Sequence, residues 1–124
     1  MVLAAIVIAG AGASCSGETT ATPAERGKAV AMRAGCTSCH GATSIRGLGP
    51  TWTGVAGSTV KLDDGTTVVA DTAYLTESIR SPAAKKVAGY SIAMPAVQLS
   101  NEDVIALVAY IESLAAKPAT TTGG

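Results

Sequence analysis

The sequence predicts a mainly α-helical domain of short helices joined by long loops, with one small β-hairpin inserted between them. Three observations carry this. Helix-start signatures stand at Thr22, Asp71 and Ser100, each opening a stretch with helical apolar spacing. Asp64-Gly65 sits between two β-branched runs, a strong hairpin signal. The remaining segments, 36–58 and 82–99, are rich in Gly, Ser, Thr and Pro or lack any sustained period, and read as loop.

The elements follow in order. In "TPAERGKAVAMRAG" Thr22 is the N-cap, Pro23 the first helical residue and Glu25 the third, a capping box that opens a helix; Gly35 ends it. Met32 is assigned to the core side of that helix. "STVKLDDGTTVVA" gives the hairpin. "DTAYLTESIRSP" is a short helix capped by Asp71 and stopped before Pro82. "SNEDVIALVAYIESLAA" is the clearest helix: Ser100 caps it, Asp103 completes a second box, and Val104, Leu107, Val108, Ile111 and Leu114 form one apolar stripe. Residues 22–117 make one domain, and 118–124 read as a disordered tail.

The chain has 124 residues and a formal net charge of zero. That balance gives no footing for nucleic acid or for an acidic substrate. Hydrophobic residues make up 48%, yet Phe is absent and the aromatics are one Trp and three Tyr. Aromatic side chains normally dominate core energetics, so a small domain without them either is marginal or holds a large non-protein body. At the N-terminus, Val2 to Ala9 is apolar but too short to span a bilayer. Small residues follow, with Ala11-Gly12-Ala13 in the arrangement of a signal cleavage site. Residues 1–15 therefore read as a signal peptide or lipoprotein signal, and 16–21 as a linker. Cys15 follows the small residues where bacterial lipoproteins carry a lipidated cysteine, which would hold the chain on a membrane surface. The chain is expected outside the cytoplasm, in the periplasm or on the outer face of the cytoplasmic membrane.

The chemistry lies in "GCTSCHG": Cys36 and Cys39, with the single histidine, His40, directly after. Zinc would need a second ligand pair, and the chain has no other histidine and only Cys15 besides. A redox dithiol needs C-x-x-C at a helix start in a βαβ setting, whereas this motif follows a helix. C-x-x-C-H reads as the attachment site of a c-type haem: two thiols bond the two vinyl groups along one haem edge, and the adjacent histidine comes up under the iron. One covalent haem c would also be the flat apolar body that the composition lacks. The sixth ligand must come from a distant segment. Met1 is in the signal and Met32 is one turn before Cys36; Met94 in "SIAMPAV" stands on a long loop, stiffened by Pro95, and is the candidate. If Met94 were instead a core residue, the iron would be open, as in a gas sensor or peroxidase.

With "LGP" at 48–50, "AYLTESIRSP" at 73–82, "GYSIAMP" at 89–95 and "LVAYIESL" at 107–114, the chain resembles class I cytochromes c over about residues 23–115. It resembles most the cytochrome domain fused to subunit II of haem–copper oxidases. The resemblance implies short helices wrapped around the haem, Cys36 and Cys39 as the thioether pair, His40 and Met94 as iron ligands, and the Pro50 carbonyl as acceptor for the His40 Nδ1–H. It also implies Gly27 and Tyr110 at the crossing of the first and last helices, and Trp52, Tyr74 and Tyr90 as pocket walls. The implied function is one-electron transfer between a quinol-oxidising complex and a terminal oxidase, by a shuttle or a fixed subunit, with no small-molecule substrate and so no enzyme activity of its own.

Overall fold

The computed structural model describes residues 20–41 and 48–115. Residues 1–19, 42–47 and 116–124 lie outside the described part, and with them the signal segment, Cys15, most of the linker and the tail. Six elements follow one another: α1 (Pro23–Arg33), α2 (Thr37–His40), β1 (Thr59–Lys61), β2 (Thr67–Val69), α3 (Thr72–Arg80) and α4 (Asn101–Ser113).

The cap of α1 closes as its sequence dictates. Thr22 Oγ1 accepts from Glu25 N–H at 3.2 Å, and Glu25 Oε2 accepts from Thr22 N–H at 2.7 Å. The helix buries Gly27, Val30 and Ala31. Met32 is one residue further round, a turn of about 100°, and stands 64% exposed rather than in the core. At Gly35 the backbone enters the left-handed region, φ 74°, which ends α1.

Directly afterwards the chain does something its composition hides. Cys36 returns to right-handed helical angles, and Thr37–His40 form a single helical turn where a loop was expected. His40 N–H donates to the Cys36 carbonyl at 3.0 Å and Gly41 N–H to the Thr37 carbonyl at 3.2 Å. A four-residue turn is too short to show a periodic pattern.

In the hairpin β1 and β2 pair antiparallel, with Thr59 opposite Val69, Val60 opposite Val68 and Lys61 opposite Thr67. The turn is not a two-residue loop centred on Asp64-Gly65. Gly65 N–H donates to the Leu62 carbonyl and Leu62 N–H to the Thr66 carbonyl. Only Gly65 has positive φ. That is a three-residue connection with glycine in its left-handed position, and Asp64 Oδ1 braces it by accepting from Thr66 N–H and Oγ1–H. Residues 86–88 then lie along the other side of β1, with Ala88 N–H on the Lys61 carbonyl and Asp63 N–H on the Lys86 carbonyl.

Both later helices are capped as expected, Asp71 accepting from Tyr74 N–H and Ser100 from Asp103 N–H. Asp103 does not complete a box. Its carboxylate turns instead to Arg33 at the end of α1, Oδ2 to Nη2 2.6 Å. The stripe on α4 is buried from Val104 to Ile111, with Leu114 half-buried against the same cluster.

The first and last helices cross at Gly27. A Cβ built there would lie 1.9 Å from the Ala106 carbonyl oxygen and 2.7 Å from the Tyr110 Cβ. The two backbones touch, and no side chain fits between them. The loop after Pro50 is tied to the C-terminal end of α4 by Gly54 N–H on the Leu114 carbonyl at 2.9 Å.

Two outcomes are expected. In an exposed helix Gly→Ala gains about 1 kcal/mol; at Gly27 it should instead destabilise, by roughly 1–3 kcal/mol as for other overpacked contacts, read from denaturant unfolding of the haem-loaded protein. The second concerns acid. A hydrogen bond from the Thr22 backbone holds the Glu25 carboxyl below its ordinary range, Thr66 does the same for Asp64, and Arg33 for Asp103. Groups with depressed folded values add stability that is present above the ordinary carboxylate range and is lost as pH falls through it. The thermal midpoint should hold near neutral pH and fall below about pH 5. Asp103→Asn should lower it at pH 7 and lose less on going to pH 3. An equal loss in variant and wild type would count against this assignment.

Candidate functional site: a covalent haem cleft

Cys36, Cys39 and His40 owe their arrangement to α2. Positions three and four apart share one face of a helical turn, so the turn presents both thiols and the imidazole to the same side. That side opens on a cleft of about 530 Å³, within the range of about 300–1,000 Å³ typical of cofactor pockets. One part of its wall comes from residues 34–40 and from 48–61, including Leu48, Pro50, Trp52 and Val55. The other comes from α3, α4 and the 82–99 loop, including Tyr74, Leu75, Ile79, Tyr90, Met94, Leu107 and Ile111. The apolar stripe of α4 thus serves the core and the cleft together.

The histidine is held in a defined state. His40 Nδ1 lies 2.8 Å from the Pro50 carbonyl oxygen. A carbonyl only accepts, so Nδ1 carries a proton, and in the neutral ring the lone pair is on Nε2. Gly49 lets the loop come this close: a Cβ there would be 2.9 Å from His40 Cε1 and 3.1 Å from Nδ1. The indole of Trp52 stacks on the imidazole, centroids 5.1 Å apart and planes 11° from parallel. The Tyr110 ring stands nearly perpendicular to the indole, centroids 6.1 Å apart and planes at 86°.

The cysteines are free, half-buried thiols. Burial pushes the Cys36 thiol above its ordinary value, and the neighbouring Cys39 adds to the shift. Among the described residues no group of three or more His, Cys, Asp and Glu is arranged to hold a metal ion.

Every candidate named from the sequence on the haem side meets at this cleft: Cys36, Cys39, His40, Pro50, Trp52, Tyr74, Tyr90 and Met94 all line it. Gly27 and Tyr110 stand at the helix crossing, as the resemblance implied. Ser78 was not singled out. It too lines the cleft, and its Oγ is buried with no hydrogen-bond partner. Thr76 on the same helix bonds back to the Thr72 carbonyl; Ser78 does not, so it has hydrogen-bonding capacity left over beside the cleft. No signal in the sequence separates it from any other helical serine. A large, mostly apolar cleft, two thiols on one face of a turn and an imidazole with a free Nε2 all suit a haem.

The cytochrome c family model matches residues 24–115, and the chain belongs to that family. Its members are electron carriers with haem c bonded through the cysteine pair, here Cys36 and Cys39. Among solved structures the chain is similar to cytochrome cH from Methylobacterium extorquens, with a TM-score of 0.51 and 24% identity over 73% of this chain and 97% of that one. That likeness is one of fold: mainly helical, with the two-stranded hairpin. Comparison with curated proteins finds no match in sequence.

Proposed function

We propose that this cytochrome is exported and carries single electrons from a quinol-oxidising complex to a terminal oxidase, with its iron held between His40 Nε2 and Met94 Sδ. The observation that carries the ligand reading is the His40–Pro50 bond of 2.8 Å. It reserves Nε2 for the metal and makes the imidazole a better donor. Met94 supports it from across the chain, lining the same cleft from the loop before α4. Bound haem supplies the one-electron iron couple. With both axial positions filled by side chains, the protein's task is to hold the ligands, exclude water and present an edge to partners.

The surface beside Met94 fits a transient redox contact. From Ala88 to Leu99 the sequence holds no charged residue, and Ile92 is 52% exposed. Docking on such a face is small and depends weakly on salt. The likeness of the hairpin, α3 and Met94 segments to the oxidase-fused domain supports a terminal oxidase as acceptor. The apolar, small-residue N-terminus and Cys15 support export and a lipid anchor.

Met94→Ala should leave haem covalently attached and open a coordination position. The reduced variant should bind carbon monoxide where the wild type does not. Its potential should fall, since Met raises it, by an amount within the range of about 0.8 V that axial ligands span. Carbon monoxide binding by the reduced wild type would refute the ligand pair and favour an open-site sensor. For the partner, the tagged protein is captured from detergent-extracted membranes and washed in high salt. Retained oxidase or quinol-oxidising subunits would mark a fixed electron-entry module. Cytochrome alone, with fast salt-tolerant turnover by an oxidase, would mark a shuttle; failure to support turnover by any terminal oxidase would refute the acceptor.

A further inference from the structure

The His40 ring is confined on three sides. Its Nδ1 edge is on the Pro50 carbonyl, its Cε1 edge is against Gly49, and its face is covered by the Trp52 indole. Bond and glycine fix where the edge points. Neither limits tilt about the Nδ1–oxygen line; only a body lying flat on the ring does that. Trp52 is such a body, 9% exposed and packed in a T-shaped pair with Tyr110.

We propose that Trp52 is a positioning residue for the iron ligand, whose face-on contact fixes the plane of the His40 imidazole and favours the oxidised state. The inference rests on His40 being the ligand. The electrostatic part follows from charge. An imidazole bound to a ferric centre carries more positive charge than one bound to a ferrous centre. The face of an indole is the negative side of its quadrupole and attracts positive charge. The contact therefore stabilises the ferric form more, and the burial of Trp52 keeps water from screening it. A role of the indole as mere filling would give no such bias.

The test compares Trp52→Phe, which keeps an aromatic face, with Trp52→Leu and Trp52→Met, which fill the space without one. Two quantities are read on the haem-loaded proteins: the midpoint potential, and the haem-methyl proton shifts of the ferric form, whose pattern reports the imidazole plane. The Leu and Met variants should shift the one-electron equilibrium two- to fivefold toward the reduced form, about 18–41 mV at about 59 mV per tenfold, with an altered methyl pattern. The Phe variant should stay nearer the wild type in both. Wild-type potential and methyl pattern in either non-aromatic variant would overturn the proposal, as would equal shifts in all three. If the wild-type ferric spectrum lacks the strongly shifted ring protons of a coordinated imidazole, the ligand reading itself fails and the inference with it. Their presence beside an unmoved Leu or Met variant defeats the inference alone.

Discussion

A backbone contact with no room for a methyl group underlies the rest of the molecule. Gly27 on α1 lies against the Ala106 carbonyl of α4, with Tyr110 Cβ beside it. This approach joins elements from the two ends of the described chain and orients everything hung from them. The cysteine turn α2 follows α1 after a single left-handed residue, Gly35, so its face is set by where α1 lies. Tyr110, at the crossing, backs Trp52, and Trp52 backs His40. A chain of contacts thus runs from the helix crossing to the His40 imidazole.

The cleft explains how a domain with no Phe keeps a core. Leu75, Ile79, Leu107 and Ile111 belong to the buried cluster and also line the cleft. Their apolar faces point two ways, toward each other and toward the haem. Small domains struggle to bury enough surface. Here the prosthetic group supplies the area that large side chains would otherwise provide, and its two thioether bonds keep it in place. The charged residues pair on the exposed surface, as in Arg33–Asp103, Lys85–Glu77 and Lys86–Asp63, while residues 88–99 around Met94 carry none. That division leaves an uncharged face beside Met94.

Much of this was determined by the sequence alone, where the physics is local. Caps at Thr22, Asp71 and Ser100 satisfy orphan helix donors within three residues, so they announce themselves by spacing. The C-x-x-C-H motif names its cofactor because covalent chemistry dictates its spacing. The stripe on α4 declares a buried face. What only the tertiary structure decided depends on segments far apart or on competition between partners. Asp103 had a local partner and a distant one, and the charged Arg33 won over the backbone of its own cap. Met32 fell outside the core because α4 packs beside Val30 and Ala31, and the sequence of α1 holds no record of where α4 lies. The α2 turn is too short to leave a period. The hairpin register came from Gly65 alone taking positive φ, where Asp64-Gly65 also suits a tighter loop. Above all, the contact of His40 with Pro50 and Trp52 joins groups ten and twelve residues apart, and stacking of one ring on another is written in no single stretch of chain.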